Sequence, residues 1–291
     1  MKGDPRPACF GTRWLATWLL AVSAGLVGCV TNPYTDRWQL MMVSSGQEMQ
    51  LGAQAYQQVL QDPKVKLSTD PREVEPVKRV AARVIEAAKK SKYADLANQF
   101  QWEVSVIKDD QTLNAFALPG GKIAVYTGIF AVSKNEAGLA AVMGHEVVHA
   151  LARHGGERMS QNVVAQGALT VANVGLAVAG VDPILGNGAM AALGVGAQVG
   201  VLLPFSRKHE SEADYIGMLL AAQAGYDPRE AVRVWERMAQ LSKETPSEFL
   251  STHPAHETRI KQLQEWLPEA LPLCPAQGCG SGAELPPIGH R

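Results

Sequence analysis

Apolar residues recur at helical spacing through residues 75–91 (EPVKRVAARVIEAAKKS), which predicts an amphipathic helix there. An earlier helix is predicted from Ser45 to about Gln61. Glu48, three residues after Ser45, suggests a capping box, and Asp62-Pro63 ends the run. Residues 102–108 (WEVSVIK) alternate like a strand. Residues 114–127 (NAFALPGGKIAVYT) read as two strands around Pro119-Gly120-Gly121. Ser133 and Glu136 suggest a second capping box, before a helix reaching about His154. Further helices are predicted over 209–224, stopping at Gly225, and from Asp227-Pro228 to about Leu241, with Asp227 as N-cap. A last one falls between Pro254 and Pro268. The sum is a mainly α fold with a small β-sheet.

Two stretches break this pattern. Residues 163–181 and 189–203 are rich in Ala, Val and Gly, and Asp182 is the one charge between residues 159 and 206. Polar interruptions at Gln166, Thr170 and Asn173, and the frequent glycine of the second stretch, favour a pair of buried small-residue helices, or one helix and a glycine-rich loop, over a membrane-contacting hairpin. At the other end, Lys2, Arg6 and Arg13 precede an apolar run from Trp14 to Val27 that is short for a membrane span. Gly28-Cys29 follows it. This order reads as a lipoprotein signal peptide over 1–28, with Cys29 lipidated as the first mature residue. Residues 29–44 then form a membrane-proximal connector, 45–267 the main domain, and 268–291 a loose Pro/Gly-rich tail. Val30, after that cysteine, favours sorting to the outer membrane, facing the periplasm.

Composition changes this picture little. In 291 residues the formal charge is −1, and loss of 1–28 would make it −3. No basic excess points to nucleic acid. Of four cysteines, Cys274 and Cys279 remain once Cys9 and Cys29 are set aside. In an exported chain they read as one short-loop disulfide.

The chemistry is carried by His145-Glu146-Val147-Val148-His149, an HExxH motif. Residues four apart share a helix face, so both imidazoles can reach one Zn²⁺ with Glu146 beside it as general base. A catalytic zinc needs a third protein ligand. The metzincin pattern would place a glycine at 152 and a histidine at 155, where the chain has Ala152 and Gly155. His154 is one residue out of register and reads as a histidine at a helix C-terminus. Glu210-Ser211-Glu212-Ala213-Asp214 offers carboxylates on a second helix. Glu210 and Asp214 share a face, so Glu210 can ligate while Asp214 orients a ligand histidine. Glu212 points to the other side, toward solvent.

HExxH, then SRKHESEAD (206–214), then THPAHETR (252–259) resembles the HtpX/BepA/LoiP-like gluzincins of metallopeptidase family forty-eight. That family also holds the CAAX prenyl proteases and the mitochondrial inner-membrane stress protease. The likeness runs from NPYTDRWQLMMVS (32–44) to about residue 267. It implies a gluzincin-like zincin fold with one zinc per chain and Glu210 as third ligand. It implies that His253 approaches the metal, as a resting cap or an oxyanion donor, accompanied by Arg259. It implies that Asn114, Ala115, Phe116 and Ala117 form a strand that pairs with substrate. Clear transmembrane spans of the polytopic members are missing from this sequence. The expected activity is hydrolysis of internal peptide bonds in misfolded or unassembled envelope proteins. The alternative is a chaperone or assembly adaptor with a latched zinc site. Substrate preference and oligomeric state are left open.

Overall fold

A computed structural model of the chain describes residues 28–161, 206–241, 253 and 257–288. The expected signal segment 1–28, apart from Gly28, and the apolar stretches at 163–181 and 189–203 lie outside them. Among the described residues, no helix is long and apolar enough to cross a membrane.

The connector is folded and packed on the rest of the chain. Strands β1 (Gly28–Thr31) and β2 (Trp38–Met41) form an antiparallel hairpin, with Thr31 opposite Trp38. Helix α1 (Ser45–Gln61) follows. Its N-cap is Ser44, one residue earlier than the sequence pattern suggested, because Gln47 completes the reciprocal bonds to it. Glu48 is left to pair elsewhere, and is buried against Arg153, 2.7 Å away. Helix α2 (Pro71–Ala88) begins four residues before the predicted start. Asp70 caps it and Pro71 sits in the first turn, where a missing N–H costs nothing. Its stripe of Val77, Val80, Ala81, Val84 and Ala88 is fully buried, as its spacing demanded.

After the short helix α3 (Ala94–Gln99) come β3 (Glu103–Ile107), β4 (Ala115–Leu118) and β5 (Lys122–Tyr126). The sheet order is β3-β5-β4, with β3 parallel and β4 antiparallel to β5. Strand β4 is therefore an edge. A 3₁₀ turn leads into α4 (Phe130–Ser133), and then α5 (Glu136–Leu151). Ser133 ends α4, and Asn135 is the N-cap of α5, its side chain accepting from Gly138 N at 2.9 Å. Glu136 is held by Arg79 instead of closing a capping box.

Helix α6 (Arg207–Gln223) lies across α5 at their glycines. A Cβ on Gly144 would sit 2.6 Å from the Gly217 carbonyl oxygen, and one on Gly217 would sit 2.7 Å from His145 N. The two backbones touch, and no larger residue fits at either position. Helices α7 (Arg229–Leu241) and α8 (Glu257–Ala270) complete the layer. Helix α8 continues through Pro268, where the sequence suggested a stop. Docking on α6 offsets the lost bond, through Trp266 against Tyr215 at 5.2 Å and a 2.7 Å bond from Tyr215 to Glu269.

The described part of the tail packs on the domain, where the sequence suggested a loose segment. Backbone bonds from Glu136 N to Ala283 O (3.0 Å) and Ala137 N to Ser281 O (2.9 Å) use up free amides at the start of α5. Leu285 is buried, and Cys274 and Cys279 are bonded to each other.

Candidate metal centre

Helix α5 is buried on nearly every face, so its polar residues are interior groups rather than a solvated stripe. His145, Glu146 and His149 are each 4 % exposed or less. Helix α6 brings Glu210 in its first turn, with Ser206 as N-cap. His253 reaches the same point from the segment ahead of α8.

Four ligand atoms from His145, His149, Glu210 and His253 lie within 4.8 Å of one another. His145 Nε2 is 3.1 Å from His149 Nε2, 3.2 Å from His253 Nδ1 and 3.5 Å from Glu210 Oε2. Glu210 Oε1 is 3.5 Å from His149 Nε2 and 3.1 Å from His253 Nδ1. A tetrahedral zinc with bonds of about 2.0–2.1 Å places its ligand atoms about 3.3 Å apart. The donor set and its spacing both fit that ion. Charge fits as well. Burial pulls the His145 imidazole down, but hydrogen bonds to Asp214 and Glu210 more than offset it and push it up to about 9. Two buried carboxylates thus favour positive charge where the ligand atoms converge. Glu210 itself is held well below the ordinary range: burial raises it, yet His145 and His253 outweigh that.

Behind the ligands stands Asp214, 2.9 Å from His145 Nδ1. Arg259 donates to it from Nε (2.6 Å) and Nη2 (2.7 Å), and its Nη1 lies 2.8 Å from Glu210 Oε2. The guanidinium rests 3.5 Å over the Trp235 ring. Arg259 therefore braces two carboxylates from the rear and does not face the cleft. Its partners are the two α6 residues four apart, which the sequence pattern had placed on one face.

Glu146 lies on the cleft side. Its Oε1 is 3.4 Å from His253 Nε2 and has no hydrogen-bond partner among the described residues. Burial raises its pKa above the usual carboxylate value. Asn114, Ala115, Phe116 and Ala117 line the same cavity of about 190 Å³, together with Glu146, His149 and His253. Tyr126 N donates to Asn114 O at 3.1 Å, so the backbone groups of Asn114 and Phe116 turn toward β5. Those of Ala115 and Ala117 turn to the open edge, and the Ala117 amide reaches Glu146.

Two residues differ from their predicted surroundings. Glu212, expected in solvent, is buried and bound by Arg37 (2.8 Å), His154 (3.0 Å) and Thr35. Burial raises its pKa, but these three partners bring it down to about 2. His154, expected at a helix C-terminus facing the dipole, is fully buried, with Nδ1 3.0 Å from His149 Nδ1. Burial brings its pKa down to about 4 despite Glu212. Arg37 also grips Glu157 through two bonds of 2.7 and 2.8 Å. The hairpin is thereby fastened to the rear of the metal centre. Cys29 lies within that hairpin, opposite Leu40.

An HExxH helix with a glutamate from a second helix, around a buried point that fits zinc, defines a zinc metallopeptidase. A family model described as Peptidase family M48 matches residues 71–267, and the chain belongs to that family of metalloendopeptidases. It is similar to "Mitochondrial metalloendopeptidase OMA1" of Schizosaccharomyces pombe, 38% identical over 82% of this chain and 66% of that protein. The protein of that name in Saccharomyces cerevisiae is 32% identical over 86% of this chain and 72% of its own length. The "Beta-barrel assembly-enhancing protease" of Escherichia coli is 27% identical, over 79% of this chain and 46% of its own length. The chain thus spans just under two thirds of the fission-yeast protein and about half of the bacterial one. Identity to the two yeast proteins exceeds that to the bacterial one, so the resemblance drawn from the motifs holds at family level.

Proposed function

We propose that this chain is a lipid-anchored endopeptidase of the bacterial envelope that degrades misfolded or unassembled proteins at the periplasmic face of the outer membrane. The convergence of His145, His149 and Glu210 beside Glu146 and an open strand edge carries the catalytic part of this reading. The order of the first 29 residues and the bacterial relative's name support the rest.

In this reading an extended substrate pairs with β4 through the Ala115 backbone and the Ala117 carbonyl, which tolerates many sequences. Zinc, when bound, supplies Lewis-acid polarisation of the scissile carbonyl and lowers the pKa of water. Glu146 accepts the proton of the attacking water and later delivers it to the leaving amine. His145 and His149 act as neutral Nε2 donors, and Asp214 fixes the His145 ring through Nδ1. The carbonyl oxygen, as it gains charge, comes within reach of His253.

His253 also favours a second reading. It sits among the ligand atoms, as a latch would, which suits an assembly adaptor whose peptidase is shut at rest. Substrate trapping separates the two. Cells carrying Glu146→Gln should accumulate envelope proteins on the inactive enzyme that the wild type removes. Full complementation by Glu146→Gln would sink the peptidase reading and leave the adaptor.

His253→Ala should keep the metal on its three remaining ligands and shift turnover of an unfolded protein tenfold or more. An oxyanion donor is worth about 10²–10³-fold, and a latch hides activity in proportion to its closed fraction. The first effect lowers turnover and the second raises it. Turnover equal to wild type at matched zinc content would assign His253 to neither role.

Anchoring is tested at Cys29. Mass spectrometry of the mature N-terminus should find Cys29 acylated, and Cys29→Ser should leave the protein uncleaved or misplaced. An intact, unmodified 1–28 segment on mature protein rejects the lipid anchor.

A further inference from the structure

The sequence signal for His149 ends at its Nε2. The opposite side of its ring is occupied by a group that the HExxH logic does not use. His149 Nε2 faces the converging ligand atoms, 3.1 Å from His145 Nε2 and 3.5 Å from Glu210 Oε1. A neutral imidazole that ligates through Nε2 carries its hydrogen on Nδ1. That hydrogen points at His154 Nδ1, 3.0 Å away. His154 must therefore accept at Nδ1 and keep its own hydrogen on Nε2. There it meets Glu212 Oε2 at 3.0 Å, an acceptor only. The chain of donors has one consistent direction: His149 to His154 to Glu212. Glu212 is locked in turn by Arg37 at 2.8 Å and by Thr35.

We propose that His154 and Glu212 form a positioning relay that fixes the tautomer and ring orientation of His149 for zinc, with the β1–β2 hairpin as its outer clamp. The relay plays for His149 the part that Asp214 plays for His145. Its construction differs, because a second histidine is interposed before the carboxylate. That histidine is brought into place by a break in the helix. Ala152 ends α5, Arg153 adopts φ +56°, and residues 154–161 resume as a helix. Arg153 is held in that left-handed conformation by Glu48 and the Val43 carbonyl, at 2.7 and 2.8 Å. Neither His154 nor Glu212 lines the cleft itself; His154 stands behind His149, which does.

The inference rests on His149 as a ligand, and the experiment checks that separately on the full-length protein. Zinc affinity is measured by competition with a chromogenic chelator for wild type, His149→Ala, His154→Phe, His154→Asn and Glu212→Gln. Melting of the metal-free forms is followed in parallel. Loss of an outer hydrogen-bond partner of a ligand histidine costs about 10–100-fold in metal affinity. His154→Phe keeps a ring but no acceptor and should lose that factor. His154→Asn places an amide oxygen near the old Nδ1 and should recover most of it. A purely structural role would lower melting of the metal-free forms without separating Phe from Asn. Zinc affinity within threefold of wild type in His154→Phe overturns the relay. Undiminished zinc binding by His149→Ala overturns the ligand assignment instead. Should His154→Phe fail to fold, ¹⁵N spectra of the wild-type zinc protein decide. The relay requires His149 protonated on Nδ1 and His154 on Nε2, and a hydrogen on His154 Nδ1 refutes it.

Discussion

Glu146→Gln is expected to abolish proteolysis by several orders of magnitude while leaving zinc and fold in place. The substitution is isosteric in a site where Glu146 is 2 % exposed, so it opens no cavity. It removes none of the four converging ligand atoms. What it removes is the capacity to take a proton. General-base catalysis alone accounts for about 10²–10⁴-fold, and the attacking water also loses the acceptor that orients it. Ala117 N–H can still donate to the amide oxygen, so the strand edge should stay where it is. The check is single-turnover cleavage of an unfolded protein, with zinc content measured on the same preparation. Activity within tenfold of wild type would exclude Glu146 as the base.

Glu210→Ala should fail one step earlier, at the metal. It deletes a ligand and strands two partners: Arg259 Nη1 at 2.8 Å and His253 Nδ1 at 3.1 Å. Removing one member of a buried pair costs up to about 3–5 kcal/mol, and the two bonds that Arg259 keeps to Asp214 hold the cost below that limit. The variant should therefore lose zinc, lose activity that added zinc does not restore, and melt at lower temperature. Glu210→Gln separates the contributions, since it keeps the volume and a hydrogen-bonding oxygen while losing the charge. Glu212 cannot take over the ligand role, because its carboxylate is committed to Arg37, Thr35 and His154. Full zinc occupancy in Glu210→Ala would sink the assignment.

Most of the centre was legible because it rests on regular periodicity. His145 with His149, and Glu210 with Asp214, are pairs four apart, and one helical turn puts each pair on a common face. What lay beyond reading depended on breaks in that regularity. In a continuous helix His154 would point about 140° away from His149, five residues later at about 100° each. The turn at Ala152-Arg153 cancels that rotation, and nothing in ALARH announces it. Helical spacing does set Glu212 apart from Glu210, but the far side is covered by Arg37 and Thr35 of the β1–β2 hairpin and not by solvent. The cap of α1 shifted by one residue because Ser44 and Ser45 offer competing boxes, and only tertiary demand for Glu48 at Arg153 chooses between them. Pro and Gly content describes the local stiffness of the tail and says nothing of the free amides at the start of α5 that it satisfies.

The contact of Gly144 with Gly217 has a bearing on control. Backbone meeting backbone leaves no side chains to repack, so α5 and α6 have no soft coordinate along which to slide. His145, His149 and Glu210 ride on those two rods, and their mutual spacing is as stiff as the crossing itself. A switch acting on this peptidase therefore has to leave the tripod standing. His253 belongs to neither rod. A latch of the kind proposed would therefore act through His253, whose contacts with His145 and Glu210 are side-chain contacts only, and would leave the helix crossing as it is.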